Sequence, residues 1–271
     1  MKTMLVLSMG ALLLAGTLSA QTPVPEWQAG VDKVKTLIQS NPAQASEEAG
    51  ELLKGKNKKN VDLVTSVAHV YLDAGKITEA QEYLAMAKKA NNKDPKVSVL
   101  EGDIALAQKN IGQACQLYEQ AIYFDPNCKE AYLKYAQAYK SASPALAIEK
   151  LEQLKAVDPN CLEADRELAE VYYSSNRFGK AAEMYAKFID TPLATEDDML
   201  KYAFALFLNH DFEKSLQVAQ KGLQKNARHA AFNRLVMYNN TDLKRYEDAE
   251  KAAHAFFNAS DRADYSYLDY R

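Results

Sequence analysis

The sequence predicts an all-α fold, a right-handed solenoid of stacked helix-turn-helix units, and three observations carry that expectation. A small residue returns at Ala80, Ala114, Ala147, Ala181, Ser215 and Ala249, in steps of 34 or 33 residues. Two further registers keep step with it. About twelve positions earlier lie Ala68, Gly102, Ala136, Ala169 and Ala203, and seven positions later lie Ala87, Ala121, Leu154, Phe188, Gly222 and Phe256. Within one unit the spacing is helical: Tyr132, Tyr135, Ala136 and Tyr139 fall three and four apart and share one helix face. A fixed period of this length holds two helices and a turn, and it marks an array in which neighbours bury each other's apolar faces.

Taken in order, residues 1–20 read as a secretory signal peptide. Met1-Lys2 is its positive start, Met4 to Leu18 its apolar run and Leu18-Ser19-Ala20 its cleavage site. No cysteine stands near that site, which argues against a lipid-anchored form. Residues 21–60 read as a degenerate N-terminal helix pair, with Gln21 to Pro25 as a lead, helices over Trp27–Ser40 and Ala43–Lys54, and Asn41-Pro42 as cap and first-turn proline. The basic run Lys54 to Lys59 is expected to be a solvated loop between helix pairs. Residues 61–257 form the array proper. Asp94-Pro95 and Ser143-Pro144 open helices with a capping side chain before a proline, whose missing N–H would be unsatisfied there anyway. Asp125-Pro126-Asn127 and Asp158-Pro159-Asn160 close successive units. Thr195-Glu196-Asp197-Asp198 has the pattern of a capping box with extra acid in the first turn, rather than a cation loop, which would need spaced oxygens and a bend-forming glycine. The last full unit diverges, with Met237 and Asn240 at first-helix register positions. Residues 258–271 are left as a partial C-terminal helix. Tyr265, Tyr267, Leu268 and Tyr270 make that end aromatic where a solenoid normally carries a polar cap, which reads either as a docking end or as a chain cut short.

The stretches Ala68, Tyr71, Ala80, Leu84, Ala87 and Ala169, Tyr172, Ala181, Tyr185, Phe188 resemble the tetratricopeptide repeat, and the resemblance covers about 61–257. The tryptophan and the Leu-Gly pair typical of the family's first helix are mostly absent. The resemblance implies an interaction scaffold of the bacterial exported type. One subgroup of the family clamps a peptide's terminal carboxylate with lysine, asparagine and arginine. The corresponding positions here, Thr65, His69, Val99, Asp103, Leu133 and Gln137, do not supply that clamp.

Composition narrows the function further. A net charge of −3 gives no basic face for nucleic acid, and no window after the leader approaches the roughly 20 apolar residues of a membrane span. The three cysteines, Cys115, Cys128 and Cys161, cannot all pair within one chain, and Cys128 and Cys161 stand at equivalent places in successive units, too far apart for a disulfide. The four histidines lack metal-ligand spacing, and neither a nucleophile with its base nor a phosphate loop is visible. No catalytic residue, cofactor or metal is therefore expected. The chain is read as a non-enzymatic scaffold that takes a protein or peptide partner.

Stacked pairs curve so that their first helices line a concave surface. The residue after each small first-helix position points inward: His69, Asp103, Gln137, Glu170, Phe204 and Tyr238. Thr65, Val99, Leu133, Arg166, Leu200 and Arg234 lie one turn earlier, and Leu106, Tyr173 and Phe207 one turn later. The candidate protein-binding residues are His69, Asp103, Gln137, Glu170, Tyr173, Phe204, Phe207, Arg234 and Tyr238. The alternative reading of the aromatics is packing between repeats or against the chain's own end. The expected compartment is the periplasm, with association to the outer membrane as a variant. From a different class comes a structural component of an outer-membrane assembly or secretion machine, self-associating through the C-terminal end.

Overall fold

The computed structural model describes residues 24–259 and Asp269. The expected signal peptide lies outside the described residues, as does the partial C-terminal helix apart from its first two residues and Asp269. The described residues form seven helix pairs without strands: α1 (Gln28–Ser40) with α2 (Pro42–Leu52), α3 (Val61–Asp73) with α4 (Ile77–Asn91), α5 (Pro95–Ala107) with α6 (Ile111–Phe124), α7 (Lys129–Tyr139) with α8 (Pro144–Val157), α9 (Leu162–Ser174) with α10 (Phe178–Phe188), α11 (Glu196–Leu208) with α12 (Phe212–Lys225), and α13 (Ala230–Asp242) with α14 (Tyr246–Ala259). Each helix packs on its sequence neighbour. First helices also pack on first helices, α1 on α3, α3 on α5, α5 on α7, α7 on α9 and α11 on α13, which makes the chain an α-solenoid. Among these successive pairs α9 and α11 approach least closely. Between them α10 ends early and the chain runs through Pro192 before α11 begins.

The registers mark the helix crossings. Ala80, Ala114, Ala147, Ala181 and Ser215 are fully buried on the second helices, against Ala68, Gly102, Ala136, Ala169 and Ala203 on the first. At Gly102 the approach is tight: a Cβ there would stand 2.5 Å from Cε1 of Tyr118, so glycine lets that ring lie across α5. Apolar burial continues as a strip of overlapping clusters from Val31 to Phe256, not as one central core, as expected where each unit contacts only its neighbours.

The turn inside each pair has its own chemistry. Gly75, Lys109, Asn176, His210 and Lys244 take left-handed backbone with φ between 59° and 74°. In each, that residue and the next donate their N–H groups back to the end of the first helix, for example Lys109 to Leu106 and Asn110 to Ala105, closing a Schellman motif. The third array unit has none. It is the unit in which the register steps by 33, and the missing residue falls in this turn, where Ser143 and Pro144 start α8 directly.

Several boundaries differ from expectation. The second helix of the first pair is Pro42–Leu52 rather than 43–54, because Pro42 itself takes the first helical position while the Asn41 side chain accepts from the Gln44 N–H. The basic run, expected as a solvated loop, has its lysines exposed and winds into a short 3-10 turn, Gly55–Lys59. Asp94 caps α5 through its carboxylate, whereas Ser143 stands at the cap of α8 without a side-chain hydrogen bond. The capping box at Thr195 and Asp198 is present in full. Cys128 and Cys161 are the cap residues of α7 and α9, and all three cysteines are free thiols. In the divergent last unit, Asn239 replaces an apolar residue and donates to Ser215 Oγ at 2.8 Å, while the Ser215 hydroxyl donates to the Ala203 carbonyl, so one polar pair substitutes for an alanine contact.

Candidate protein-binding wall

The candidate residues all lie on first helices, and the wall they form divides into a charged part and an aromatic part. On α5, Asp103 is only 8% exposed. Its carboxylate accepts the Tyr118 hydroxyl at 2.7 Å, the Lys134 ammonium at 3.0 Å and His69 Nε2 at 3.0 Å. The other ring nitrogen of His69 lies 2.9 Å from the Thr65 carbonyl, which can only accept. Both imidazole nitrogens thus face acceptors, an arrangement that the imidazolium, with two N–H donors, satisfies in full. Burial opposes that charge, yet the hydrogen bond that His69 donates to Asp103 and the charge of that carboxylate raise the His69 pKa above its ordinary value. Burial likewise opposes ionisation of Asp103, and the bond from His69, the charge of Lys134 and the Tyr118 hydroxyl overcome it, so its pKa is lowered. Tyr118 is pushed upward by burial and by the carboxylate it serves.

The same arrangement returns on α9. Glu170 accepts the Tyr185 hydroxyl at 2.7 Å, Lys201 at 3.0 Å on each oxygen and Lys140 at 3.2 Å. Burial resists its charge, but Tyr185 and the two lysines lower its pKa. The residue sets Asp103, Tyr118, Lys134 and Glu170, Tyr185, Lys201 are related by a constant shift of two units. In each, an acid on one first helix takes a phenol from its own second helix and a lysine from the next first helix. A third rung at the same spacing has its chemistry inverted. Tyr238 occupies the acid position and Asp269 the lysine position, with the phenol donating to Oδ1 at 2.7 Å. Arg234 reaches the same carboxylate, Nε to Oδ1 at 3.1 Å and an Nη to Oδ2 at 3.2 Å.

Sequence reasoning located the acids but missed what they do. Asp103 and Glu170 lie beneath His69, Lys134, Lys140 and Lys201, each about a third exposed, so these two carboxylates are largely withdrawn from solvent. Lys134, Lys201, Tyr118 and Tyr185 were not singled out as wall residues, although the acid-to-tyrosine spacing of 15 and acid-to-lysine spacing of 31 repeat visibly in the sequence. Gln137 is exposed and donates to Glu167. Arg166 grips Asp198 in a two-point ion pair at 3.1 and 3.0 Å, so the acid of the capping box also ties α11 to α9. Among the described residues no three His, Cys, Asp or Glu side chains gather as metal ligands would.

Toward the C-terminal end the wall turns aromatic. Tyr173, Phe204, Phe207 and Tyr238 are half-buried, each packed against the core clusters. Phe207 meets Phe212 and Tyr238 with ring centroids 5.6 and 5.8 Å away. A groove of about 660 Å³ opens beside it, lined by Phe207, Met237, Tyr238, Ala253 and Phe257, with Asp269 at its polar edge. A smaller hollow of about 360 Å³ lies at the other end, between Trp27, Thr65, His69, Lys96 and Val99. No helix of the described residues is long and apolar enough to cross a membrane.

Comparison with known proteins agrees with this architecture. Residues 68–131 and 137–194 match the tetratricopeptide repeat family model. No curated protein matches the chain in sequence. Among solved structures, the C-terminal part of a TPR repeat-containing protein from Cytophaga hutchinsonii is similar over 86% of this chain and 97% of its own, at 17% identity and a TM-score of 0.65. PilW, described as a widely conserved type IV pilus biogenesis factor, is similar over 74% of this chain and 94% of its own, at 17% identity and a TM-score of 0.58. YrrB, described as a TPR protein with an unusual peptide-binding site, is similar over 68% of this chain and 95% of its own, at 14% identity and a TM-score of 0.50. At these identities the likeness is one of fold.

Proposed function

We propose that this α-solenoid, built of tetratricopeptide repeats across its matched units, is an exported scaffold that captures an extended or helical peptide segment of a partner protein on its first-helix wall. The observation that carries the reading is the strip of half-buried aromatics Tyr173, Phe204, Phe207 and Tyr238, of which Phe207 and Tyr238 line a groove. Covering a large apolar side chain is worth about 1.5–3 kcal/mol, so two or three anchors suffice for a working affinity. The cationic skin over Asp103 and Glu170 would set the partner's orientation more than its affinity, because its charges are already paired. The mechanism of this reading is non-covalent capture. The periplasm is the compartment we assign, on the leader sequence at residues 1–20.

The reading is tested by affinity purification of the tagged protein from crosslinked envelope fractions, beside a Tyr173→Ala/Phe204→Ala variant. One dominant partner, lost in the variant while thermal unfolding is preserved, supports capture on this wall. An unchanged partner set moves the site elsewhere, and recovery of the protein alone favours self-assembly.

A further inference from the structure

The inverted third rung has chemistry that the first two lack. In those, an acid belonging to the array is met by a lysine from the next first helix. In the third, α13 offers the donors, Arg234 and Tyr238, and the carboxylate comes from Asp269, beyond the last helix pair. Arg234 is a prepared receptor. Its guanidinium lies 4.5 Å from the centre of the Phe256 ring, and it faces one carboxylate with an Nη that donates to Oδ2 and with Nε at ion-pair distance from Oδ1, an approach a planar guanidinium can make and an ammonium cannot. Asp269 is 6% exposed, so its carboxylate has been withdrawn from water and is held by directed donors. The apolar groove of Phe207, Met237, Ala253 and Phe257 begins where this carboxylate is held.

We propose that Arg234 and Tyr238 form a carboxylate-accepting site at the mouth of the end groove, and that it takes an acidic residue of a partner peptide whose apolar side chains enter the groove. Asp269 occupies the site in cis and must leave before the partner's carboxylate can enter. The partner's chemistry follows from that occupant: one aspartate or glutamate beside aromatic or aliphatic residues. A basic segment is repelled by Arg234, and a purely apolar one leaves Asp269 in place. The inference rests on peptide capture as the function of the chain, and its test uses purified components, so it stands or falls apart from the capture experiment on Tyr173 and Phe204.

The probe is a labelled synthetic peptide with the sequence of residues 264–271, acetylated and amidated so that its own termini carry no charge, and binding is read by fluorescence anisotropy. The peptide should bind the Asp269→Ala chain at least tenfold more tightly than the unaltered chain, because the cis competitor is gone. A second peptide, with asparagine in place of the residue equivalent to Asp269, should lose at least tenfold against the same Asp269→Ala chain, a comparison that leaves the fold of the receptor untouched. Adding Arg234→Gln or Tyr238→Phe to Asp269→Ala should weaken the aspartate peptide toward the level of the asparagine one. Equal binding of the two peptides would reduce the site to an apolar groove and overturn the proposal. So would absence of binding to Asp269→Ala, or affinity for the unaltered chain equal to that for Asp269→Ala.

Discussion

Replacing Asp103 with asparagine keeps the shape of the side chain and removes the charge on which three donors converge. The Tyr118 hydroxyl is buried and its bond at 2.7 Å is charge-assisted, an interaction worth about 1.5–3 kcal/mol. Lys134 and His69 are about a third exposed, so each of their bonds is discounted toward the roughly 0.2–1 kcal/mol of solvated pairs. Asp103→Asn should therefore cost about 2–4 kcal/mol, which at this chain length lowers the thermal midpoint by roughly 5–15 °C. Urea and thermal unfolding at neutral pH measure it. A double-mutant cycle with Tyr118→Phe assigns the buried part, and the coupling between the two should reach about 1 kcal/mol or more. A loss under about 0.5 kcal/mol with no coupling would refute the reasoning. Asp103 would then be a wall carboxylate open to a ligand, and the middle of the array would have to be reconsidered as a site for basic peptides.

Three further outcomes are expected. The stabilising contribution of His69, whose folded pKa is raised above 6.5, is complete below that value and lost as pH rises through the raised pKa, while those of Asp103 and Glu170, whose pKa values are lowered, are complete above the ordinary carboxylate range and lost as pH falls through the lowered values. The stability profile should thus fall on both sides, and His69→Gln should flatten only the alkaline side, as urea midpoints across pH would record. Glycine at Lys109, His210 or Lys244 relieves left-handed backbone and should stabilise by about 0.5–1 kcal/mol each, measured by thermal unfolding, whereas Gly75→Ala should destabilise by a similar amount. Gly102→Ala drives a methyl into the Tyr118 ring and should cost about 1–3 kcal/mol, with loss of Tyr118 near-UV dichroism as the local signature; an unchanged midpoint would show that the ring can step aside.

The helix pairs were legible in the sequence because packing against identical neighbours forces the same small residue to the same crossing in every unit. Even the 33-residue step between Ala114 and Ala147 was visible, and it corresponds to the one array turn that lacks a left-handed residue. The wall was harder to read. Helical register places Asp103 and Glu170 on the inward side, but it is silent on depth, and depth here is decided by a phenol 15 residues on and a lysine 31 residues on, in separate helices. Their shared two-unit period was present in the sequence and was obscured because Gln137 and Phe204 interrupt it in the intervening units. The failure of Ser143 to cap α8 has a different origin. Its position before Pro144 was right, and its hydroxyl simply does not reach a free N–H.

One joint of the solenoid differs from the rest. Between α9 and α11 the backbones stand farther apart, and long charged side chains span the gap, Arg166 to Asp198 and Lys201 to Glu170. At the other joints the first helices meet more closely, and a charged rung such as Lys134 on Asp103 adds to that contact. Here the first helices are tied by ion pairs, which soften with ionic strength, while α10 and α11 keep the joint packed through Tyr185 and Tyr202. A charged segment lying across this joint would compete for the same arginine and lysine and change their tension. Since α11 carries Phe204 and Phe207 just downstream of the joint, an exchange of these ion pairs would be felt at the aromatic part of the wall through the helix that bears it.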